Sequence, residues 1–336
     1  MPPGSNSSAI ALDVIVCTRN RAGDLNRTLA ALASQAKAET VDWSVLVVDN
    51  GSTDPTSRVV EAWQAIGMIP GLRRVIHREG DQSPARLSGV RETSAGWIAF
   101  LDEYSLPARD WIGAVGQAIA AHPDAGGFGG KVILDWVKPP PSYMRGFGWC
   151  FDEQDHGALF RERDSLVGAG MILRREALHA SGWTARPLLA RRIGKHLFGG
   201  GDVEMTQRVR STGHRLWYAP DCVLRHRIAP ERATRRYLIR SAYGLGAAAA
   251  GVSALVWTET YRAWTLNARS NTRRFATQTL RWLKPTTTRI APSAALADAA
   301  FAIGFARGVA AVAAMSPEQR AELFGAAVEH GNPVPA

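Results

Sequence analysis

The chain has 336 residues, of which 46% are hydrophobic and 21% charged, so it can bury a substantial globular core. Its three cysteines, Cys17, Cys150 and Cys222, are far apart and odd in number, which excludes a disulfide framework and a Cys-x-x-Cys zinc site. We therefore expect a reducing, cytoplasmic location. Residues 1–8 contain neither a basic residue nor an apolar run, so no signal peptide is expected there.

The net charge of +10 is concentrated in one part of the chain. Residues 227–289 hold twelve Arg or Lys residues against two Glu residues, an excess equal to the net charge of the whole protein. The basic residues are Arg227, Arg232, Arg235, Arg236, Arg240, Arg262, Arg269, Arg273, Arg274, Arg281, Lys284 and Arg289. Such a surface could meet anionic lipid head groups or a phosphorylated acceptor, or it could be a solvated helical face. No nucleic-acid-binding motif accompanies it, so nucleic acid is not an expected partner.

The first hundred residues alternate between two periodicities. Residues 13–17 and 43–48 are uncharged or nearly so and predict buried strands, whereas Leu25, Leu29 and Leu32 repeat at helical spacing between them. A helix over 55–66, a short strand near 74–78, a helix over 84–94 and a strand over 97–101 follow. Alternation of strands and helices with short connections predicts an α/β fold with a doubly wound, mostly parallel sheet.

The pattern loosens after Pro107. Strands are predicted over 126–134, 166–173, 215–218 and 222–224, and helices over 174–180 and 203–211, with a long Pro-, Gly- and aromatic-rich loop near 139–149. Beyond Pro230 the chain is expected to be helical and Ala-rich. We place a domain boundary near 230, which separates a first domain over 10–230 from a basic helical extension over 231–330.

The longest uncharged stretch lies in this extension, at residues 241–257. It is shorter than the roughly 20 residues that span a bilayer, and Ala and Gly dominate it rather than the residues that drive insertion. We expect a buried or interfacial helix there, not a membrane span.

Two carboxylates end the strand predicted over 97–101. Asp102 and Glu103 follow this bulky uncharged run directly, and a Ser-Leu-Pro turn comes after Tyr104. In an open α/β sheet, ligands bind beyond the carboxyl ends of the strands, and carboxylates there suit a hard cation or sugar hydroxyls. The alternative is a surface turn in which Asp102 caps the next helix.

Three further places carry polar residues at strand ends or in loops. They are residues 17–21, whose amides and Arg groups could meet a phosphate, residues 49–54, and residues 199–204 followed by His226. Each has a structural alternative. Asp54 and Asp202 could cap helices, and His226 could be a strand-end histidine whose hydrogen bonds are made within the protein. Four such places in one α/β chain favour a ligand site.

The ordered set of motifs resembles family-2 glycosyltransferases of the GT-A fold. The resembling segments are 14–21 (VIVCTRNR), 47–54 (VVDNGSTD), 83–86 (SPAR), 99–107 (AFLDEYSLP), 168–177 (GAGMILRREA), 200–204 (GGDVE), 218–220 (YAP) and His226. They cover roughly residues 12–240, and the stretch 230–238 also resembles bacterial members that build cell-surface polysaccharides. The resemblance implies an inverting, hexosyltransferase-like transfer of a sugar from a nucleotide-diphosphate donor to an acceptor hydroxyl, without identifying the acceptor or an oligomeric state.

The resemblance also implies roles for individual residues. Asp102, Glu103 and His226 are the expected ligands of Mg²⁺ or Mn²⁺, and Asp202 is the expected general base with Glu204 in reserve. The residues expected to bind the nucleotide sugar are Thr18, Arg19, Asn20, Asp49, Asn50, Arg86, Asp102, Gly170 and Gly201. A cytoplasmic enzyme, peripheral to the inner face of the membrane, would fit this assignment.

Two positions depart from the family pattern. Tyr104 stands where a third acid is common, and a neutral phenol is a poor ligand for Mg²⁺ or Mn²⁺, so weak metal affinity or a rotated Glu103 is expected. Gly201 stands where an acid pair is common, which leaves Asp202 as the base. The basic loop over 186–196 suits a lid over a diphosphate or anionic acceptor, although a solvated loop would have the same composition. The alternatives are a nucleotidyltransferase of the same fold, for which residues 18–23 match poorly, and an inactive sugar-nucleotide-binding scaffold.

Overall fold

The computed structural model describes residues 10–78, 82–189, 200–279 and 291–326. Strands and helices alternate in the first part of the chain, as the hydrophobic periodicity predicts. The elements there are β1 (Ile10–Thr18), α1 (Ala22–Ala33), β2 (Val41–Asp49), α2 (Thr56–Ile66), β3 (Arg73–Ile76), α3 (Gln82–Arg91), β4 (Trp97–Asp102), β5 (Ser105–Pro107) and α4 (Trp111–Ala121).

The second part begins with longer loops and ends in helices. Its elements are β6 (Gly127–Trp136), β7 (Arg161–Arg163), β8 (Met171–Arg174), α5 (Arg175–Ala180), α6 (Gly201–Ser211), β9 (Leu216–Ile228), α7 (Arg235–Leu255), α8 (Tyr261–Thr279), α9 (Ala291–Ala313) and α10 (Pro317–Gly325). Short 3₁₀ turns at Ser142–Met144, Gly148–Phe151 and Pro230–Arg232 interrupt the loops.

The described strands form one sheet in the order β3-β2-β1-β4-β8-β6-β9-β5, with β7 paired to β9. Strands β3, β2, β1 and β4 are mutually parallel, and so are β6 and β9. Strand β8 runs antiparallel to both β4 and β6, and β5 runs antiparallel to β9. The predicted α/β fold with its doubly wound sheet is confirmed, and the antiparallel pairings make the second half of the sheet mixed.

Both faces of the sheet are buried. On one face of β1, Val14 and Val16 belong to the same cluster as Leu25 and Leu29 of α1. On the other face, Ile15 clusters with residues of α3 and α5. Strands covered on both sides read as continuous apolar runs, which is why residues 13–17 predict a strand so clearly. Each fully buried Val, Leu or Ile side chain contributes about 1.5–3 kcal/mol to this core.

Residues 216–228 form one strand where two short strands are predicted. The pairing of β6 with β9 jumps from Gly130 opposite Ala219 to Val132 opposite Leu224, so β9 carries extra residues around Pro220. Pro220 has no N–H to give to a ladder, which explains the apparent break in the sequence. A side chain at Gly130 would meet the Cys222 carbonyl oxygen at 1.7 Å, so the irregularity needs glycine there.

The described residues after Pro230 are helical, as predicted. Thr234 caps α7 by accepting a hydrogen bond from the Tyr237 amide at 3.2 Å. Helices α7 and α9 approach so closely that a Cβ at Gly246 would lie 2.1 Å from the Phe301 carbonyl oxygen. The boundary near 230 stays a prediction, and Arg281, Lys284 and Arg289 lie outside the described residues.

Two described helices, Arg235–Leu255 and Pro292–Ala313, are long and apolar enough to cross a membrane by length and composition alone. This is weak evidence, because half of the first helix is buried inside the protein and a core helix passes the same test.

Candidate functional site

The carboxyl ends of three neighbouring strands meet at one edge of the sheet. In the register of β1 with its neighbours, Thr18 lies opposite Asp49 of β2, and Cys17 lies opposite Asp102 of β4. The Thr18, Asp49 and Asp102 side chains are all buried. The strand ends therefore bring together three of the predicted site residues, at the position where open α/β sheets bind ligands.

Asp49 is held in one orientation by two hydrogen-bond donors. Its Oδ1 accepts from the Ser52 amide at 2.9 Å, and its Oδ2 accepts from Arg74 Nη1 at 2.9 Å. Sequence reasoning missed Arg74, because a single Arg in a short strand carries no signal of what it faces. The ion pair places a guanidinium next to the expected nucleotide site.

Asn20 and Asp54 join the loops that follow β1 and β2. Asn20 adopts a left-handed conformation with φ of 54°, and its Oδ1 accepts from the Thr53 amide at 2.7 Å. Asp54 accepts from the Ala22 amide at 2.8 Å and from the Thr56 amide at 3.2 Å, so one carboxylate caps both α1 and α2. The capping alternative for Asp54 is confirmed. Asn20 therefore joins two loops that carry residues expected to bind the nucleotide. Arg19, next to Asn20, is exposed.

Several buried polar atoms near this edge have no hydrogen-bond partner among the described residues. They include Thr18 Oγ1, Asn50 Oδ1 and His226 Nδ1. Buried polar atoms are ordinarily satisfied, and each unsatisfied one costs about 1–3 kcal/mol. Unpaired atoms clustered at a strand edge mark a place where a ligand or ordered water completes the hydrogen bonding.

Two side chains of α3 surround Asp102. Asp102 Oδ1 accepts from Gln82 Nε2 at 3.0 Å and lies 3.7 Å from Arg86 Nη2. Arg86 is only 5% exposed, so its charge is poorly screened by water. The segment SPAR at 83–86 thus brings Arg86 next to Asp102, and sequence reasoning missed Gln82.

Asp202 approaches the same arginine from the other side. It lies in the first turn of α6, after Gly200, whose φ of 112° favours glycine. A Cβ added to Gly168 would lie 2.8 Å from Asp202 Oδ2 and 3.1 Å from Arg86 Nη2. Both charged groups therefore lie close to Gly168, and Arg86 is near both Asp102 and Asp202.

The Asp152 carboxyl belongs to the same cluster as Asp102, Arg86 and Asp202. The pKa of Asp152 is raised to about 7, first by burial and then by the charges of Asp202 and Asp102, while Arg232 and Arg86 oppose the shift. Asp152 follows the 3₁₀ turn Gly148–Phe151 with a φ of 61°. It was missed because a lone Asp in a Pro- and Gly-rich loop resembles any turn residue.

Glu103 faces away from the expected metal position. Its Oε1 lies 3.0 Å from Arg21 Nε, in an ion pair that reaches back to the start of α1. Burial raises the pKa of Glu103 to about 7, the Asp102 charge adds to the rise, and Arg21 opposes it. The predicted rotation of Glu103 into a metal-binding position is not what the structure has.

Tyr104 and His226 stack on each other beside Asp102. Their ring centroids are 4.8 Å apart with an interplanar angle of 18°. The guanidinium of Arg232 lies 4.9 Å from the Tyr104 centroid, and its Nη1 lies 3.5 Å from His226 Nε2. Burial and the Arg232 charge lower the pKa of His226 to about 3, so its imidazole is neutral at physiological pH.

The three predicted metal ligands do not form a shared coordination shell. Within the described ranges, no group of three or more His, Cys, Asp or Glu side chains could hold a metal ion. Glu103 binds Arg21, Tyr104 lies against His226, and the guanidinium of Arg232 stands at His226 Nε2. Asp102 and the unpaired His226 Nδ1 remain as donors, but the guanidinium at His226 Nε2 would repel a cation held there, so the arrangement fits Mg²⁺ or Mn²⁺ poorly.

Glu204 and Gly170 serve the fold. Glu204 is fully buried, and its oxygens accept from the Leu188 and Leu189 amides, each at 2.7 Å, and from Arg208 Nη1 at 3.1 Å. These contacts leave Glu204 no freedom to act as the reserve base. Gly170, with a φ of 71°, packs where a Cβ would meet Leu224 Cδ1 at 2.2 Å. The glycine next to the charged groups is Gly168, not Gly170.

The structure also places Gly201 and one residue of the predicted basic lid. A Cβ at Gly201 would lie 2.5 Å from Ser83 Oγ, so Gly201 lets α6 approach α3. In the predicted lid, Arg186 pairs with Glu322 of α10 at 2.8 Å. Arg191, Arg192, Lys195 and His196 lie outside the described residues, so the lid stays a prediction.

A doubly wound sheet whose carboxyl edge gathers carboxylates, arginines and unpaired polar atoms is the architecture of a glycosyltransferase with the GT-A fold. The chain belongs to glycosyl transferase family 2, because the model of this family matches residues 13–182, half of its length. The resemblance read from the motifs is thereby confirmed.

Relatives at the sequence level carry glycosyltransferase names. Validoxylamine A glucosyltransferase of Streptomyces hygroscopicus subsp. jinggangensis is 37% identical over 135 residues, 39% of this chain and 30% of that protein. Glycosyltransferase AglE of Haloferax volcanii is 26% identical over 226 residues, 65% of this chain and 67% of that protein. The chain thus matches less than a third of the length of the first relative.

Solved structures share the fold at low sequence identity. A structure of TarS from S. aureus in complex with UDP-GlcNAc has a TM-score of 0.50 and 16% identity, over 95% of this chain and 88% of that chain. GalNAc-T7, solved with UDP, GalNAc and Mn²⁺, has a TM-score of 0.50 and 12% identity, over 73% of this chain and 51% of that chain. These likenesses show the GT-A fold.

Proposed function

We propose that this protein transfers a sugar from a nucleotide-diphosphate donor to an acceptor hydroxyl, with inversion and with Asp202 as the general base. The observation that carries the proposal is that Asp202 Oδ2 and Arg86 Nη2 both lie close to the point where a Cβ of residue 168 would stand, with Asp102 next to Arg86. A base and a diphosphate-binding cation thus face one point in the cleft.

The donor would lie across the carboxyl edge of the sheet. Thr18 Oγ1 and Asn50 Oδ1 need partners there, and the hydroxyl and ring groups of a nucleoside can supply them. Arg86 would face the diphosphate, since guanidinium groups bind phosphate oxygens with two parallel hydrogen bonds. Asp49, held by Arg74 and Ser52, would orient the ribose or the base.

The acceptor hydroxyl needs a base because an alcohol is a poor nucleophile while protonated. As its oxygen bonds to the anomeric carbon, the bond from that carbon to the diphosphate oxygen breaks, and the electron pair leaves with the diphosphate. The hydroxyl proton passes to the Asp202 carboxylate. Attack from the face opposite the leaving group inverts the configuration.

The charge that develops on the leaving diphosphate must be stabilised by preorganised cations. The Mg²⁺ or Mn²⁺ that the family resemblance implies stays a prediction for this chain. The groups around Asp102 fit such an ion poorly, because the Arg232 guanidinium stands at His226. Arg86 is the nearest buried cation to Asp102 among the described residues.

A panel of nucleotide sugars with candidate acceptors tests the proposal. Release of nucleoside diphosphate together with a glycosylated product is expected, and Asp202→Asn should abolish it. Release of pyrophosphate would support the nucleotidyltransferase instead. Binding of donors without any turnover would support an inactive scaffold.

We further propose that the basic helices contact an anionic membrane surface. The exposed arginines of α7 and α8 support this, namely Arg235, Arg236, Arg240, Arg262, Arg269, Arg273 and Arg274. Each such residue near an anionic surface contributes about 1 kcal/mol of attraction. Flotation with phosphatidylserine vesicles should recover the protein at low salt and lose it at high salt. Equal recovery with phosphatidylcholine vesicles would contradict the proposal.

A further inference from the structure

Arg232 lies against Tyr104, the residue that stands where the family pattern leads one to expect a third acid. It belongs to the 3₁₀ turn Pro230–Arg232, just after β9. Its guanidinium carbon lies 4.9 Å from the Tyr104 ring centroid, and its Nε donates to the Tyr237 hydroxyl at 2.8 Å. Its Nη1 lies 3.5 Å from His226 Nε2, so Tyr104, Tyr237 and His226 together hold the guanidinium in place.

This guanidinium contacts aromatic rings and an imidazole rather than a carboxylate. Among the described residues, Arg232 makes no salt bridge within 4.0 Å, and its immediate contacts are the rings of Tyr104, Tyr237 and Phe151 and the imidazole of His226. Its charge acts on the Asp152 carboxyl only from beyond salt-bridge distance. A half-buried cation that makes no direct ion pair is costly unless a ligand provides one. Arginine is also the side chain best suited to phosphate oxygens, because its planar fork donates two hydrogen bonds.

The same contacts weaken the case for a divalent cation there. A metal ion held by Asp102 and His226 would share the cleft with the Arg232 guanidinium and would be repelled by it. Tyr104 supplies a phenol where a third carboxylate would add negative charge, and its ring lies against His226. Glu103, the other acid of the segment, is committed to Arg21.

We infer that Arg232, together with Arg86, supplies the positive charge on the donor diphosphate that a metal ion would otherwise supply. This inference rests on the proposed function. The guanidinium donates hydrogen bonds to the diphosphate oxygens and remains protonated throughout. It stabilises the electron pair that the diphosphate carries away when the bond to the anomeric carbon breaks. Transfer by this chain is therefore independent of Mg²⁺ or Mn²⁺.

Calorimetry of the full chain with UDP and GDP, in EDTA and then in Mn²⁺, tests the inference without requiring turnover. We expect one of the two nucleotides to bind in EDTA with an affinity within about threefold of that in Mn²⁺. Arg232→Met should weaken this binding by roughly ten- to a hundredfold, the loss expected for charge-assisted hydrogen bonds. Arg232→Lys should recover part of it, and binding of the parent nucleoside, which lacks phosphates, should not change.

Arg215→Met is the matched control. Arg215 also lies over an aromatic ring, 5.3 Å from the Trp217 centroid, but it precedes the far end of β9 and pairs with Asp124. Its substitution should leave nucleotide binding unchanged. Thermal unfolding of each variant separates a loss of binding from a loss of fold, and Tyr104→Asp should make nucleotide binding respond to Mn²⁺.

Binding of UDP and GDP that requires Mn²⁺ and disappears in EDTA would overturn the inference, as would undiminished binding in a folded Arg232→Met variant. No binding of either nucleotide under both conditions would overturn it too. Two results distinguish a failure of this inference from a failure of the proposed function. Turnover that occurs only with Mn²⁺ keeps the glycosyltransferase mechanism and removes the role of Arg232. Arg232-dependent nucleotide binding without any turnover keeps the inference and removes the mechanism.

Discussion

Gly168→Ala should separate catalysis from folding in this protein. The new Cβ would lie 2.8 Å from Asp202 Oδ2 and 3.1 Å from Arg86 Nη2, where ordinary contacts begin at 3.4 Å. The Asp202 carboxylate must therefore retreat by about 0.6 Å, and a misplacement of about 1 Å can cost a hundredfold in rate. We expect kcat to fall by roughly tenfold or more. Because the displaced atoms are side-chain ends, the unfolding free energy should change by less than about 1 kcal/mol.

The assay is steady-state kinetics with the best donor and acceptor from the panel, alongside thermal unfolding. Gly96→Ala is the control, since a Cβ at Gly96 would meet nothing within 4 Å. It should leave both kcat and the melting temperature unchanged. A Gly168→Ala variant that retains kcat within about twofold of the parent would refute the claim that Asp202 and Arg86 flank the reacting atoms.

Three further expectations concern individual acids. Asp202→Asn should lower kcat by at least about a hundredfold while leaving nucleoside diphosphate binding by calorimetry intact, and near-normal kcat would remove Asp202 as the base. Glu204→Gln should lower the unfolding free energy in urea by about 2–4 kcal/mol, because one of the two acceptor oxygens becomes an NH₂ group and the buried Arg208 loses its ion pair. Full stability with reduced kcat would instead restore a catalytic role. Glu103 has a pKa raised from 4.5 to about 7, so the folded state holds its proton longer than the unfolded state, and stability falls as pH rises through that window. Glu103→Gln should flatten this fall in urea titrations between pH 4.5 and 7, and parallel curves for variant and parent would contradict the assignment.

The parts of the fold that the sequence predicts best are those with local causes. Strands β1, β2 and β4 are apolar runs covered on both faces, and each ends at a polar residue where the sheet edge meets solvent. The sequence predicts two short strands in place of β9, because Pro220 interrupts the strand pattern. The pairing of β9 with β6 shows that the strand continues.

The candidate site was harder to predict, because the charges that orient its groups come from distant positions in the chain. Arg74, Asp152 and Arg232 each look like isolated surface residues in the sequence, and their roles arise only from what folding places beside them. Conversely, Glu204 and Asn20 stand in motifs that point to chemistry, and their hydrogen bonds serve the backbone. Motif spacing points to residues that the structure brings to one edge of the sheet, but the role of each residue depends on tertiary contacts.

The anchoring of residues 188 and 189 by Glu204 has an evolutionary consequence. Glu204 lies in the first turn of α6, the same turn that begins just after Gly200, so both ends of the intervening segment are fastened to one helix start. A change at Glu204 would release residues 188 and 189 from the helix that carries Asp202. Selection that keeps Asp202 in place therefore also acts on Glu204.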